Sequence, residues 1–438
     1  MKQRLINTTK NIILVLLTLL MAVLTVLIWV RSLSWEDIPV ESGFGQFYIR
    51  MAYGSASVFG LRTEDVPAAY PTEIAVRVNG QMFGAQNDTT GVDALLEQFQ
   101  DPISAALNDS VRDLKPGGEA DYVQALEQDC IFIRYEHALP LELIFLWLGD
   151  GGTQIPAVSA RSLLVSSSGQ IWIRDEGNAL FVYDSAVDSK GWSDRLGESI
   201  FGTCRFAGNE SSSDGVAPDT LIFDDHRQAY PVVEMAEPAY LDSNGVDNLQ
   251  VVLEAFAYNT SVGNYMDDMK RVFVNNNSTL RIGTKGDILF HATSMKGGME
   301  AYQEGEITEN DELPLRVNTA KAILEQIQRS YSTEADFFLR SVSRDAVSGR
   351  VQLHFQYQCN GVPVTGEVGR FAVIEFVENA LVSAEIHART FVSTEQTRFL
   401  IPSEQLMAMA DSSDENILLG YFFQEGLLYP HRYFERVV

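Results

Sequence analysis

Asp224-Asp225-His226 is the tightest grouping of metal-capable side chains in this 438-residue chain. Two carboxylates beside an imidazole could begin a hard-ion or zinc site, but either ion needs further ligands from elsewhere. The simpler reading is an exposed acidic turn. The six histidines are His137, His226, His291, His354, His387 and His431. No two lie four apart, so no helix presents the His pair of a zinc protease. Asp150-Gly151-Gly152 and Asp242-Ser243-Asn244-Gly245 lack the ligand ladder and closing Glu of a calcium loop. The chain has no Gly-x-Ser-x-Gly elbow, P-loop or dinucleotide fingerprint. Carboxylates are so abundant that a glycosidase pair cannot be singled out. Cys130, Cys204 and Cys359 are too few for a disulfide scaffold and too scattered for a zinc site. Cys130 and Cys359 read as small apolar core residues. Cys204 lies beside Arg205 and could be more reactive, and one disulfide among the three is open outside the cytoplasm. No catalytic, cofactor-binding or metal-ligating residue is therefore assigned.

The elements around these residues carry more information. Asn11–Val30 is a twenty-residue run without charge, about the length that crosses a ~30 Å hydrocarbon core as a helix. Lys2, Arg4 and Lys10 precede it, and only Arg31 follows before Glu36. That bias places the N-terminus in the cytoplasm and the rest outside. A cleaved signal peptide would have a shorter apolar run and a small-x-small site. Thr18, Ala22 and Thr25 share one face of the expected helix, where small residues let a partner helix approach closely and hydroxyls can bond across the contact. An ordinary lipid-facing anchor is the alternative. Beyond Arg31 the chain holds 28 basic against 59 acidic side chains, a net of −31. That excludes a typical nucleic-acid binder, which needs a basic footprint. Asn87-Asp88-Thr89 and Asn259-Thr260-Ser261 are acceptor triplets only if the cell glycosylates them.

The expected organisation is a cytoplasmic tail (1–10), a transmembrane anchor (11–30), a linker (31–45), an N-terminal and middle α+β region (46–305) and a C-terminal α+β module (306–438). Asp93–Gln100 reads as a helix capped by Asp93, with Pro102 opening a further short one. Ser162–Ser166, Gln170–Arg174 and Ala179–Tyr183 read as a β-meander. Asn318 could cap a helix with apolar positions Val317, Ala320, Leu324, Ile327 and Tyr331, one face of a 3.6-residue repeat. Val351, Leu353, Phe355, Tyr357 and Cys359 alternate with Gln352, His354, Gln356 and Gln358, a strand with one buried face. Asn360-Gly361 follows as a hairpin turn. Phe371–Val377 and Leu381–Phe391 are further strands, on which His354 and His387 fall on polar faces and could touch. A short helix at Pro402–Ala410 and strands at Ile417–Gln424 and Leu427–Val437 complete the module. The fold class is α+β: antiparallel sheets with helices packed on them, behind a single N-terminal transmembrane helix.

Three stretches resemble one family. Ser159–Asp184 is similar to the early meander, Arg271–His291 to a hairpin segment, and Asn318–Val438 to the C-terminal module of the YycH/YycI group (also called WalH/WalI). Gly420-Tyr421 and Pro430 with Tyr433 match the closing strand of that module; His431-Arg432-Tyr433 departs from it where a Trp would be expected. The resemblance implies a non-enzymatic, membrane-anchored regulator of the YycG/WalK sensor histidine kinase of Gram-positive bacteria, controlling cell-wall metabolism through protein contacts. The implied partners are that kinase and a homologous anchored accessory protein, with no cofactor and no nucleic acid. The alternatives are an anchored cell-envelope hydrolase and an envelope assembly scaffold.

Overall fold

The computed structural model describes residues 67–436 apart from 109–113, 150–156, 186, 188, 197–201, 210–215, 224–228, 239, 241–245, 260–261, 276, 295–297, 302–311, 346 and 411–414. Residues 62–438 form one compact unit. The anchor expected at 11–30 lies outside the described residues. Among the described residues no helix is long and apolar enough to cross a membrane.

The first sheet has nine strands: β1 (Glu73–Val78), β2 (Gln81–Gln86), β3 (Lys115–Pro116), β4 (Cys130–Pro140), β5 (Ser159–Ser166), β6 (Gln170–Arg174), β7 (Leu180–Asp184), β8 (Gly202–Phe206) and β9 (Leu221–Phe223). Their order is β3-β7-β6-β5-β4-β1-β2-β8-β9, and β5–β7 is the expected meander, antiparallel throughout. β4 begins Cys-Ile-Phe-Ile-Arg-Tyr with all six residues buried. Such a run has no wet face because both sides of the strand are covered. Phe132 packs toward helix α2 (Glu119–Leu126), in one core with Tyr122, Trp172 and Phe206. Tyr135 points to the opposite face, beside Leu96 and Ile103 of α1 (Thr89–Asn108) and Trp147 of α3 (Leu141–Leu148). α1 corrects the expected pair of helices. It begins before Asp93, which lies inside it rather than capping it, and it runs through Pro102.

After the short α4 (Trp192–Arg195), β10 (Ala229–Ala236) and α5 (Val246–Ala255), the chain builds a second large sheet. It contains β11 (Asn264–Asp267), β12 (Lys270–Asn275), β13 (Ser278–Gly283), β14 (Asp287–Ala292), β15 (Met299–Glu300), β16 (Asp336–Asp345), β17 (Arg350–Cys359), β18 (Val362–Pro363), β19 (Arg370–Val377) and β20 (Ala380–His387). The main path is β11-β12-β13-β14-β20-β19-β17-β16. Strands from both sides of residue 306 thus share one sheet, joined where β14 pairs with β20. Helix α6 (Glu312–Gln328) buries Val317, Ala320, Leu324 and Ile327, the expected apolar face. It starts before Asn318, with Pro314 in its first turn, where a missing N–H costs nothing.

A four-stranded sheet, β21-β10-β23-β22, closes the fold with β21 (Thr390–Phe399), β22 (Glu415–Gln424) and β23 (Leu427–Arg436); α7 (Ser403–Met407) precedes β22. The strand expected over Leu381–Phe391 is two strands in two sheets. The backbone breaks at Ala388 and Arg389, whose N–H groups donate to Gly286 O and to the Tyr357 hydroxyl, and β21 then pairs with β10. β16 had no counterpart in the sequence reading. Its alternation is interrupted by a register shift between Leu339 and Ser341, and a bulge erases a period-two signal. The Asn360-Gly361 turn has both residues at positive φ, 53° and 76°, as expected, but leads only into the two-residue β18.

Candidate functional site

The residues singled out for chemistry are placed as follows. Thr18, Ala22 and Thr25, like Asp224-Asp225-His226 and the 150–152 and 242–245 loops, lie outside the described residues. All three cysteines are buried, and none of them is in a disulfide. Burial pushes the thiols of Cys130 and Cys359 up to about 12, so neither supplies thiolate near neutrality. His354 and His387 are not brought together, because β19 runs between β17 and β20. His387 sits instead between Asp287 (2.8 Å from Nδ1) and Glu385 (3.1 Å from Nε2). Asn87 of the first glycosylation triplet is only 6% exposed, so the folded chain does not offer its amide to an enzyme.

Two polar arrangements emerge that the sequence reading did not contain. One is a buried charge network between β1, β4, β6 and the Asp219 turn. Arg134 lies 3.2 Å from Glu73 and 3.1 Å from Asp219. Arg174 approaches the same Asp219 carboxylate at 3.3 Å, and the Tyr122 hydroxyl donates to it at 3.1 Å. Burial alone would raise the Asp219 pKa, but Arg134 and Arg174 hold it below the usual carboxylate range. For Glu73 burial wins, and its pKa is raised despite Arg134. Each buried charge meets an opposite one, the condition under which such a cluster can be tolerated. Arg134 also stacks 5.0 Å from the Phe132 ring centroid, and Arg174 4.7 Å from that of Tyr122. The network ties the 219 turn to β1, β4 and β6 of the sheet.

The other arrangement is a surface cleft of about 390 Å³ between the first sheet and the C-terminal module. Tyr70, Asn87, Asp88 and Asp93 come from one side, and Lys321, Glu325, Asp336 and Phe337 from the other. Local structure explains the placement. Asn87 ends β2 at φ +49°, a conformation Asn tolerates better than most residues. It thereby turns the chain into α1, with Asp88 just before the helix and Asp93 in its second turn. Gly361 passes so close that a Cβ there would lie 2.9 Å from Asn87 O. Burial raises the carboxyl pKa of Asp93, with Asp88 adding to it, and burial also raises that of Asp336. The Tyr70 hydroxyl is raised by burial and by the charges of Asp93, Asp336 and Glu325. A neighbouring, mostly apolar cavity of about 210 Å³ shares the Tyr70-Pro71 wall and is lined by Leu96, Ile103 and Trp147. These residues come from segments far apart in sequence, and no local motif marks them. Among the described residues no three His, Cys, Asp or Glu side chains converge as a metal site.

No family model matches the chain, and no curated protein matches it. Among solved structures, the chain is similar to the crystal structure of YycH from Bacillus subtilis, with a TM-score of 0.48 and 13% identity over 84% of this chain and 94% of that one.

Proposed function

We propose that this chain is a membrane-anchored, extracytoplasmic, non-enzymatic regulator of a two-component sensor histidine kinase that governs cell-wall metabolism. In this reading residues 11–30 hold it in the cell membrane with the N-terminus inside, and it acts by contacts with the kinase and a homologous anchored accessory protein. The observation that carries the reading is the likeness of Ser159–Asp184, Arg271–His291 and Asn318–Val438 to the YycH/YycI group. The expected chain topology supports it physically. In that topology contacts outside the membrane or within it carry the output, and the Thr18, Ala22 and Thr25 face suits the second route.

Thr18→Leu and Ala22→Leu keep the span apolar while adding bulk on that face. The expected outcome is unchanged membrane insertion with reduced co-purification of the kinase or accessory protein in mild detergent. Unchanged co-purification with both substitutions combined would remove the helix from the contact and leave it a tether.

A further inference from the structure

Asn79-Gly80 and Asn360-Gly361 are the same dipeptide in the same kind of turn, and the fold treats them differently. Asn79 and Gly80 join β1 to β2, where Val78 faces Gln81, and have φ of 54° and 76°. Asn360 and Gly361, between β17 and β18, have φ of 53° and 76°. Positive φ at both positions is the backbone of a tight two-residue turn. The dipeptide is also prone to attack on itself. Asn is thermolabile, and a following glycine has no Cβ to obstruct the approach of its own nitrogen to the Asn side chain.

At Asn79 nothing restrains that side chain. Both residues of the turn are exposed. The Asn79 N–H donates to Asp129 Oδ2 at 3.1 Å, whereas the side-chain amide has no hydrogen-bond partner among the described residues. A Cβ placed on Gly80 would meet nothing within 4 Å, so the Gly80 nitrogen is open on that side. At Asn360 the side chain is hydrogen-bonded to the hydroxyl of Tyr421, a buried residue of β22. A Cβ on Gly361 would lie 2.9 Å from Asn87 O and 3.2 Å from Thr89 Cγ2, so that turn is packed against the start of α1.

We propose that Asn79 is a self-modification site, cyclised by the Gly80 nitrogen and opened by water, while its contacts protect Asn360. The bond from Gly80 N to Asn79 Cγ forms and the Cγ–Nδ2 bond breaks. The Gly80 N–H proton leaves with the amide nitrogen as ammonia, and a five-membered imide remains. Water then adds at either ring carbonyl and leaves an aspartate or an isoaspartate, with nothing oxidised or reduced. Either product places a carboxylate on the residue whose N–H holds Asp129, and like charges at that range repel. Isoaspartate also lengthens the backbone by one methylene, which a two-residue turn cannot absorb. The modification loosens the turn between β1 and β2 as the molecule ages, and it does not rest on the kinase reading.

Incubation of the full chain, folded in mild detergent, in mildly alkaline buffer tests the proposal. Mass spectrometry of the peptides carrying Asn79 and Asn360 follows the exchange of amide for acid at each site with time. The expected result is conversion at least tenfold faster at Asn79 than at Asn360, with isoaspartate among the products, and similar rates at the two sites once urea has unfolded the chain. Asn79→Gln, which would have to close a larger ring, should abolish the fast conversion. Asn79→Asp installs one product directly. It should lower the urea midpoint of the otherwise wild-type chain and have a smaller effect in an Asp129→Asn background. Equal rates in the folded chain, or a faster rate at Asn360, would overturn the proposal. So would a preference for Asn79 that persists in urea, since it would come from the neighbouring sequence and not from the fold. A midpoint unmoved by Asn79→Asp would overturn the loosening of the turn.

Discussion

Phe355, Gln356 and Tyr357 are consecutive residues of β17, and all three are buried. The strict alternation from Val351 to Cys359 predicts the outer two and places Gln356 in water. The pairing of β17 with β19 slips between Phe355 and Gln356, and the amide of Gln356 is turned inward, where Nε2 donates to Val364 O at 2.7 Å. Truncation at either position should therefore be felt, for different reasons. Phe355→Ala removes a ring packed 5.9 Å, centroid to centroid, from Phe337, and should cost about 3–5 kcal/mol. Gln356→Ala leaves a buried carbonyl without its donor and should cost about 1–3 kcal/mol. Urea unfolding of the two variants measures both. A silent Gln356→Ala would mean that the bulge is not where it is described. The side-chain types of this strand show its apolar face, but a bulge shifts the register without leaving a mark in the residue types. The charge network was illegible for a related reason: Glu73, Arg134 and Asp219 are ordinary charged residues until the register sets Glu73 opposite Arg134.

Elements are tied across the fold by polar clamps as well as by apolar cores. Glu176, in the turn between β6 and β7, accepts the Ala138 N–H of β4 at 2.6 Å and lies 3.5 Å from His137 Nδ1. His137 in turn accepts a hydrogen bond from Arg340 of β16 through Nε2, at 2.8 Å. This chain links the first sheet to the C-terminal module. Burial would raise the Glu176 carboxyl, but the hydrogen bonds from His137 and Ala138 bring it down to about 2 from its ordinary 4.5. A carboxyl with a depressed folded pKa contributes stability that is present above its unfolded value and is lost as the pH falls through the folded one. The window runs from about pH 4.5 down to about pH 2. Wild-type denaturation midpoints should therefore fall more steeply across that window than those of Glu176→Gln. Parallel pH profiles would contradict the clamp. At this scale the sequence was most informative. The meander of β5–β7, the apolar face of α6 and the positive-φ turn at Asn360-Gly361 follow from periodicity and turn chemistry. The break at Ala388-Arg389 does not, because the residues on either side are equally strand-like and only their partners in different sheets separate β20 from β21.

For the molecule as a whole, the α+β class and the antiparallel sheets were legible, whereas the convergence of Tyr70, Asn87, Asp93, Glu325 and Asp336 was not. Those residues meet only after two distant parts of the chain pack together, and no pattern within a single segment records that. The proposed topology has a direct consequence. Protease added to intact protoplasts should remove residues 32–438, and their survival would place the chain on the other side of the membrane. The central claim is regulation of a sensor histidine kinase by contact, without catalysis by this chain. It is tested most directly by reconstituting the YycG/WalK-type kinase of the same cell in lipid vesicles, with and without the full-length chain, and measuring its autophosphorylation rate. The expected result is a several-fold change that saturates as the two proteins reach equal amounts and is lost when only residues 32–438 are added. An autophosphorylation rate unaffected by any amount of the inserted chain would contradict it.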